Sequence, residues 1–294
     1  MNVKRETSSV KPHVPVLPDE VMRALTPKPG GTYIDGTLGA GGHAEAILKA
    51  CAPDGRLLGL DGDPEAIQIA RDTLRPFGER AVLVRSNFLQ MKTVAVEHDF
   101  VPADGVLLDL GLSSMQLANL ERGFSFSSSS LDMRMDNRTE LTALDIVNDW
   151  DEQDIADLIF EYGEERASRK IARWVVANRP IQNAQELADV IERAVGRHGK
   201  IHPATRTFQA LRIVVNNELE NLENTLPQLA EVVGQGGRVA IITFHSLEDR
   251  MVKNFFKTNE HWKNLTKHPL KPTYQQTREN PRARSAKLRV AERK

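Results

Sequence analysis

The sequence predicts an α/β fold, a doubly wound parallel sheet of the Rossmann type interrupted by one inserted helical segment. Three observations predict it. Short apolar runs closing on an acid recur at Tyr33-Ile34-Asp35, at Leu57-Leu58-Gly59-Leu60-Asp61 and at Val106-Leu107-Leu108-Asp109. A glycine-rich turn, Gly39-Ala40-Gly41-Gly42-His43, follows the first run and leads into a helical stretch from Ala44 to Ala50. The strand–helix alternation stops between about Leu117 and Thr207 and resumes at Gly236 to Phe244.

The remaining elements follow in order. Met1 to Ser9 is polar and expected to be disordered, and His13-Val14-Pro15-Val16-Leu17 to be an extended lead-in. Pro18-Asp19-Glu20 opens a helix with acids in its first turn, where the macrodipole favours them, and Pro27 to Gly31 ends it. Asp63 is placed to cap a helix whose first residue is Pro64, with Ile67, Ala70, Arg71 and Leu74 in its stripe and Pro76-Phe77-Gly78 as its stop. Ala81-Val82-Leu83-Val84 is a third strand, followed by Ser86-Asn87-Phe88, and Ala103 to Asp109 a fourth. Gly123 to Ser130 reads as loop, and Leu131 to Asp136 alternates but is too charged for a buried strand. Asp151 to Phe160, Ser168 to Ala177 and Asn183 to Val195 are helices. Phe208, Leu211, Val214, Val215, Leu219 and Leu222 hold one helical period. Gly236 to Phe244 returns to the same sheet, which divides the chain into a discontinuous domain, 1–117 with 208–294, and a helical insertion, 118–207. The insertion leaves the sheet beside Asp109 and is expected to roof its cleft and recognise substrate.

Composition narrows the function. Hydrophobic content of 40% and charged content of 27% are ordinary for a globular protein of 294 residues. The one cysteine, Cys51, excludes an internal disulfide framework and suits the cytoplasm, and without a CxxC pair a thiolate metal site is not expected. No apolar run approaches the ~18 residues of a membrane span, and the N-terminus lacks a signal-peptide core. The net charge of −1 is unevenly spread. Arg278, Arg282, Arg284, Lys287, Arg289, Arg293 and Lys294 face only Glu279 and Glu292, with Lys263, Lys267 and Lys271 ahead of them. A second basic segment holds His198, Lys200, His202 and Arg206. Two such segments point to RNA, with the tail as a phosphate-binding arm.

A doubly wound sheet binds ligands at the C-terminal ends of its strands, where Asp35, Asp61, Phe88 and Asp109 meet. An acid about twenty residues after a glycine-rich turn accepts ribose hydroxyls, a role that falls to Asp61. The helix start would hold a dinucleotide's pyrophosphate, but Asp35 at the mouth of the turn repels a second negative group. A cationic ligand fits better. S-adenosylmethionine carries an ammonium and a sulfonium, and its carboxylate can take the N–H groups of the turn's glycines, Gly39, Gly41 and Gly42. Phe88 is placed to lie against the adenine. A dinucleotide oxidoreductase and a ligand-free turn are the competing explanations.

Taken together, the chain resembles the ribosomal small-subunit RNA methyltransferase H family, also known as MraW. The resemblance is carried by His13 to Leu17, Gly39 to His43, Asp109 to Leu117, Arg122 to Phe126, Leu131 to Met135, Tyr162 to Glu165, Thr207 to Arg212, Phe244 to Arg250 and Asn280 to Ser285. It implies a class I S-adenosylmethionine-dependent methyltransferase that modifies the N4 amino group of one cytidine in the decoding region of 16S rRNA. The implied partner is the small ribosomal subunit or its rRNA, with no membrane, and a monomer or homodimer. Gly41, Gly42, His43, Asp61, Phe88, Asp109 and Gln116 match the family's cofactor positions. Met115 stands where the family commonly has proline.

The N4 lone pair of cytosine is delocalised into the ring, so methylation requires in-line placement and a sink for one proton. Many amino methyltransferases place Asp/Asn-Pro-Pro-Tyr/Phe after the fourth strand, whereas this chain has Asp109-Leu110-Gly111-Leu112. The candidates for the acceptor are Asp109, the Ser113 and Ser114 region, and His245. Phe124, Phe126 and Phe244 are candidates to stack on a flipped base. His245, Ser246 and Asp249 are too close on one turn to act as a hydrolase relay, and Gly111-Leu112-Ser113-Ser114-Met115 lacks the second glycine of a nucleophile elbow. Two other function classes share the cofactor signature. A methyltransferase for a small molecule or protein needs neither basic segment, and an RNA-binding module ordered by S-adenosylmethionine releases no S-adenosylhomocysteine.

Overall fold

The computed structural model describes residues 15–197, 199 and 201–294. Met1 to Ser9, His13 and Val14 of the lead-in, and His198 and Lys200 of the second basic segment lie outside them.

Seven strands form one sheet: β1 (Thr32–Asp35), β2 (Arg56–Asp61), β3 (Ala81–Arg85), β4 (Ala103–Asp109), β5 (Val233–Thr243), β6 (Trp262–Asn264) and β7 (Lys287–Arg293). Their order is β3-β2-β1-β4-β5-β7-β6. The first five are parallel, and β7 runs antiparallel between β5 and β6. The central strands are apolar runs because both faces are covered. Period two assigns them to layers: Leu107, Ala240 and Ile242 pack on one side, Val106, Leu108, Val239 and Ile241 on the other.

The first layer holds α1 (Pro18–Leu25), α2 (Gly42–Ala50) and α3 (Pro64–Leu74). Asp63 caps α3 by accepting the Glu65 N–H, with Pro64 at its first residue. Leu17 is left-handed at φ 53°, so the lead-in turns at its end instead of staying extended. The opposite layer holds α4 (Met91–Glu97), then α11 (Glu218–Thr225), α12 (Leu229–Val232) and α13 (Ser246–Thr258). The short α5 (Ser114–Ala118) leaves β4, and α14 (Tyr274–Glu279) precedes β7. No helix among the described residues is long and apolar enough to cross a membrane.

Between α5 and α11, the described residues are all helix and loop: α6 (Ala143–Asp149), α7 (Glu152–Gly163), α8 (Ser168–Ala177), α9 (Ala184–Val195) and α10 (Thr205–Val215). They share a separate apolar core. Phe208, Ala210, Leu211 and Val215 of α10 belong to it, although the sequence places the return to the sheet domain at residue 208. The helical period expected from Phe208 to Leu222 is also broken. Asn217 adopts φ 49°, ending α10 and starting α11 in a new direction.

The C-terminal segment differs most from expectation. It is a strand inside the sheet, not an arm. Leu288 and Val290 are buried in the first layer and Ala291 in the second. Arg289 is buried on the second side, where its Nε donates to Asp249 of α13 at 2.7 Å, and Lys287 Nζ reaches the other Asp249 oxygen at 3.0 Å. Burial pushes the Asp249 carboxyl up, but the two cations outweigh it and hold it below the ordinary range.

Candidate active site

The site lies where the sheet order reverses, between β1 and β4, at the strands' C-terminal ends. The chain leaves β1 through Gly36, whose missing Cβ would stand 2.6 Å from Leu108. The turn is pinned from three sides. Gly36 N–H donates to Leu107 O, Leu38 N–H to Leu60 O, and Thr37 Oγ1 accepts the Asp109 N–H at 2.6 Å. Asp61 completes it, one oxygen accepting the Gly39 N–H at 2.8 Å and the other the Asp63 N–H at 2.9 Å.

These elements enclose a cavity of about 330 Å³. Its floor and one wall are Gly39, Ala40, Gly42, His43, Asp61, Phe88 and Asp109. Two expected members are not at its surface. Asp35 is buried beneath the turn, accepting the Thr37 N–H, so it does not guard the mouth. Gly41 faces away, its missing Cβ 3.3 Å from Leu74 of α3, and at φ +85° it keeps that turn tight. Burial pushes the carboxyls of both Asp35 and Asp61 up to about 6. Asp109 Oδ1 and His43 Nε2 are buried without a hydrogen-bond partner among the described residues, and His43 Nε2 stands 3.7 Å from Asp109 Oδ2.

Gln116 lines the cavity, but its amide is committed. Its Oε1 accepts the Ser113 N–H and its Nε2 donates to Asp63 at 3.0 Å. Arg122 joins the same Asp63 oxygen at 3.0 Å and bonds the carbonyls of Arg134 and Met135. The inserted segment is thus tied to the cap of α3, at the rim of the cavity. Ser113 Oγ accepts the Gln116 N–H, making Ser113 the cap of α5, with Met115 in that helix's first turn.

The opposite wall holds residues the sequence did not single out: Asn216, Asn217, Glu218, Asn221 and Glu248. The first three sit at the break between α10 and α11, and the polar run Asn216-Asn217-Glu218 was the available signal. Arg282, expected on an RNA-binding arm, lines this cavity too, donating to Leu112 O, and burial lowers its pKa against the attraction of Asp109.

A second cavity, of about 230 Å³, opens between the insertion and the sheet domain. Phe124, Phe126, Phe208 and Phe244 line it, with Thr205, Gln209, Arg212, His245 and Ser285 as its polar members. Phe126 stacks on His202 at 4.5 Å and meets Phe208 edge-on at 4.8 Å. Leu112 and Phe244 line both cavities. His245 caps α13. Its Nδ1 accepts the Glu248 N–H at 3.4 Å, and Nε2 is 3.1 Å from Glu248 Oε1. Burial pushes the Glu248 carboxyl up, yet His245, Arg212 and the Phe244 N–H outweigh it and hold it low. Asp249 points instead to Lys287 and Arg289, so no His245–Ser246–Asp249 relay forms.

The basic residues sort differently from their spacing. Lys287 and Arg289 pair with Asp249 within the sheet domain, and Arg282 lines the cleft. Arg278 and Arg284 are exposed. In the second segment, His202 stands 3.4 Å from Glu192 and Arg206 3.3 Å from Glu165.

The donor set of the first cavity fits a cationic nucleoside. Asp61 presents a carboxylate bound to the Gly39 N–H, Asp109 an oxygen unpartnered among the described residues, and Phe88 and Leu110 apolar surface. A pyrophosphate would face Asp61, Asp109, Glu218 and Glu248 together.

Over residues 10–294 the chain matches the MraW methylase family. A ribosomal RNA small subunit methyltransferase H of Dehalococcoides mccartyi is 48% identical over 302 residues, covering 96% of this chain and 86% of the relative. A protein of the same name from a Nostoc species is 51% identical over 284 residues, covering 95% and 92%. One from Desulfotalea psychrophila is 47% identical over 289 residues, covering 96% and 98%.

Proposed function

The chain belongs to the MraW methylase family, and from that premise we propose that it methylates the N4 amino group of a cytidine in small-subunit rRNA, using S-adenosylmethionine. Its sheet, with the antiparallel β7 between β5 and β6, is that of the class I S-adenosylmethionine-dependent methyltransferases. The observation that carries the proposal is the pair of cavities sharing Leu112 and Phe244: one carrying the Asp61 and Asp109 carboxylates on a largely apolar lining, suited to a cationic nucleoside, and an aromatic one suited to a splayed base.

S-adenosylmethionine, when bound, supplies a sulfonium methyl group. The chain's residues do the rest. Asp61, which holds Gly39 in place, would accept from the ribose hydroxyls, Phe88 would cover the adenine, and the Gly39 to Gly42 turn with His43 would surround the amino-acid end. The four phenylalanines of the second cavity hold the base and exclude water. Holding both reactants in line supplies roughly 7–11 kcal/mol in favourable cases. As the N–C bond forms, the bond between the methyl group and the sulfonium sulfur breaks, leaving S-adenosylhomocysteine, and N4 gives up one proton. Asp109 Oδ1, buried and unpartnered at the end of β4, is the acceptor we assign. Ser113 and His245 serve as helix caps, their side-chain acceptors taken by backbone N–H groups. The insertion, about residues 118–207, supplies Phe124 and Phe126 and closes the aromatic cavity against the sheet domain. The proposed partner is the small subunit or its 16S rRNA, met in the cytoplasm, with Arg278 and Arg284 on the exposed face.

Calorimetry with S-adenosylmethionine, followed by turnover with small subunits, tests this. Binding with release of S-adenosylhomocysteine is expected. Binding without turnover on any RNA leaves a cofactor-ordered RNA-binding module.

A further inference from the structure

Arg212 lies in the wall of the aromatic cavity, its side chain 14% exposed. Its Nε and Nη2 fork onto Glu218 at 2.7 and 2.9 Å. Burial lowers its pKa, but Glu218 outweighs burial and keeps the guanidinium charged. The Nη1 amine makes no hydrogen bond among the described residues and stands 3.9 Å from where a Gly111 Cβ would be. Gly111 lines the first cavity, two residues after the end of β4. Nη1 is therefore a charged donor at the junction of the two cavities. One oxygen each of Glu218 and Glu248 and one nitrogen of His245 come within 4.8 Å of one another, as at a cation site. Here a guanidinium takes both Glu218 oxygens, so the cation of the cluster is Arg212 itself.

We infer that Arg212 reads the ring edge of the target base, donating from Nη1 to N3 and O2 of cytosine. This rests on the methyltransferase proposal above and adds how the base is chosen. A guanidinium only donates. It cannot face the N4 amine, but it matches N3 and O2, which in cytosine only accept. Gripped on that edge, the base presents N4 beside Arg212, towards Gly111 and the first cavity. Uracil carries a hydrogen on N3, which sets donor against donor in a buried site, and an unpaired donor there costs more than a missing contact. Glu218 is the positioning residue. Its fork fixes the guanidinium plane, and its place at the start of α11 ties that plane to the wall of the cofactor cavity.

The test uses small subunits reconstituted with 16S rRNA carrying cytidine or 3-deazacytidine at the methylated position. The analogue keeps the amine and loses the N3 acceptor. Wild-type protein is expected to show kcat/KM about tenfold to a hundredfold lower on the analogue, the worth of a hydrogen bond to a charged group. Arg212→Lys is expected to be slow on both and to discriminate less than about threefold, which separates the contact from the analogue's intrinsic reactivity. If Arg212→Lys does not fold, Glu218→Gln is the second variant, with the discrimination expected to fall as the fork loosens. Equal rates on both substrates in the wild type, or a ratio unchanged in the variants, overturns the inference while leaving the methyltransferase proposal standing. No transfer to cytidine itself overturns the proposal on which it rests.

Discussion

Asp61 at the end of β2 accepts the Gly39 N–H at 2.8 Å, joining the second strand to the turn that follows the first. Its other oxygen holds the Asp63 N–H, at the cap of α3. One carboxylate thus shapes the cofactor turn and, in the proposed reaction, faces the ribose. Asp61→Ala is expected to weaken S-adenosylmethionine binding about tenfold to a hundredfold in calorimetry. Unchanged affinity would remove Asp61 from the ribose.

The same residue gives a pH dependence. Asp35 and Asp61 have carboxyls raised from 3.8 to about 6 by burial. A pKa raised on folding means the protonated form is favoured in the folded state. Their contribution to stability is present in full below 3.8 and is lost as the pH rises through about 6. Cofactor binding runs the other way, because the ribose hydroxyls need ionised Asp61. The dissociation constant for S-adenosylmethionine is expected to rise about tenfold between about pH 7 and about pH 5. A flat profile over that window contradicts an ionised Asp61 at the ribose.

The basic tail makes a third prediction. Arg289 is buried against Asp249, and β7 lies between β5 and β6. Removing residues 287–294 is expected to abolish the cooperative unfolding transition and cofactor binding together. Arg289→Ala is expected to cost about 3 kcal/mol in denaturant unfolding, since it breaks a buried pair. A truncated chain that folds and binds S-adenosylmethionine would return the tail to the role of an arm.

How much of this was legible follows from what each residue's environment imposes. The parallel core strands were readable because both faces are buried, which leaves apolar runs such as Val106-Leu107-Leu108 with no other explanation. The cap at Asp63 and the helix from Ser168 to Ala177 were readable because capping and periodicity are local. In β7 the alternation was present, Lys287 and Arg289 against Leu288 and Val290, but its neutralising partner sits in α13, so the charges alone read as an exposed phosphate-binding arm. The break at Asn217 was hidden because Val215 and Leu222 stay in helical phase across it. Asp35 was misplaced because its position beside a ligand turn says nothing of which side of the strand it takes.

The aromatic cavity gives a fourth prediction. Phe126 is half-buried at the margin of the insertion's core, stacked on His202, and lines the aromatic cavity. Phe126→Ala is expected to lower kcat/KM for the RNA substrate about tenfold, the scale of one base–aromatic stack, with cofactor affinity unchanged. Equal activity in the variant would take the base out of this cavity.

The central claim is that the two cavities meeting at Leu112 and Phe244 carry a methyl group from S-adenosylmethionine to the N4 of cytosine. The most direct measurement is mass analysis of nucleosides from small subunits lacking the modification, after incubation with the protein and labelled S-adenosylmethionine, with naked rRNA alongside. The account predicts label in N4-methylcytidine and in no other nucleoside. Label in another nucleoside, or tight cofactor binding with no label in either substrate, would contradict it.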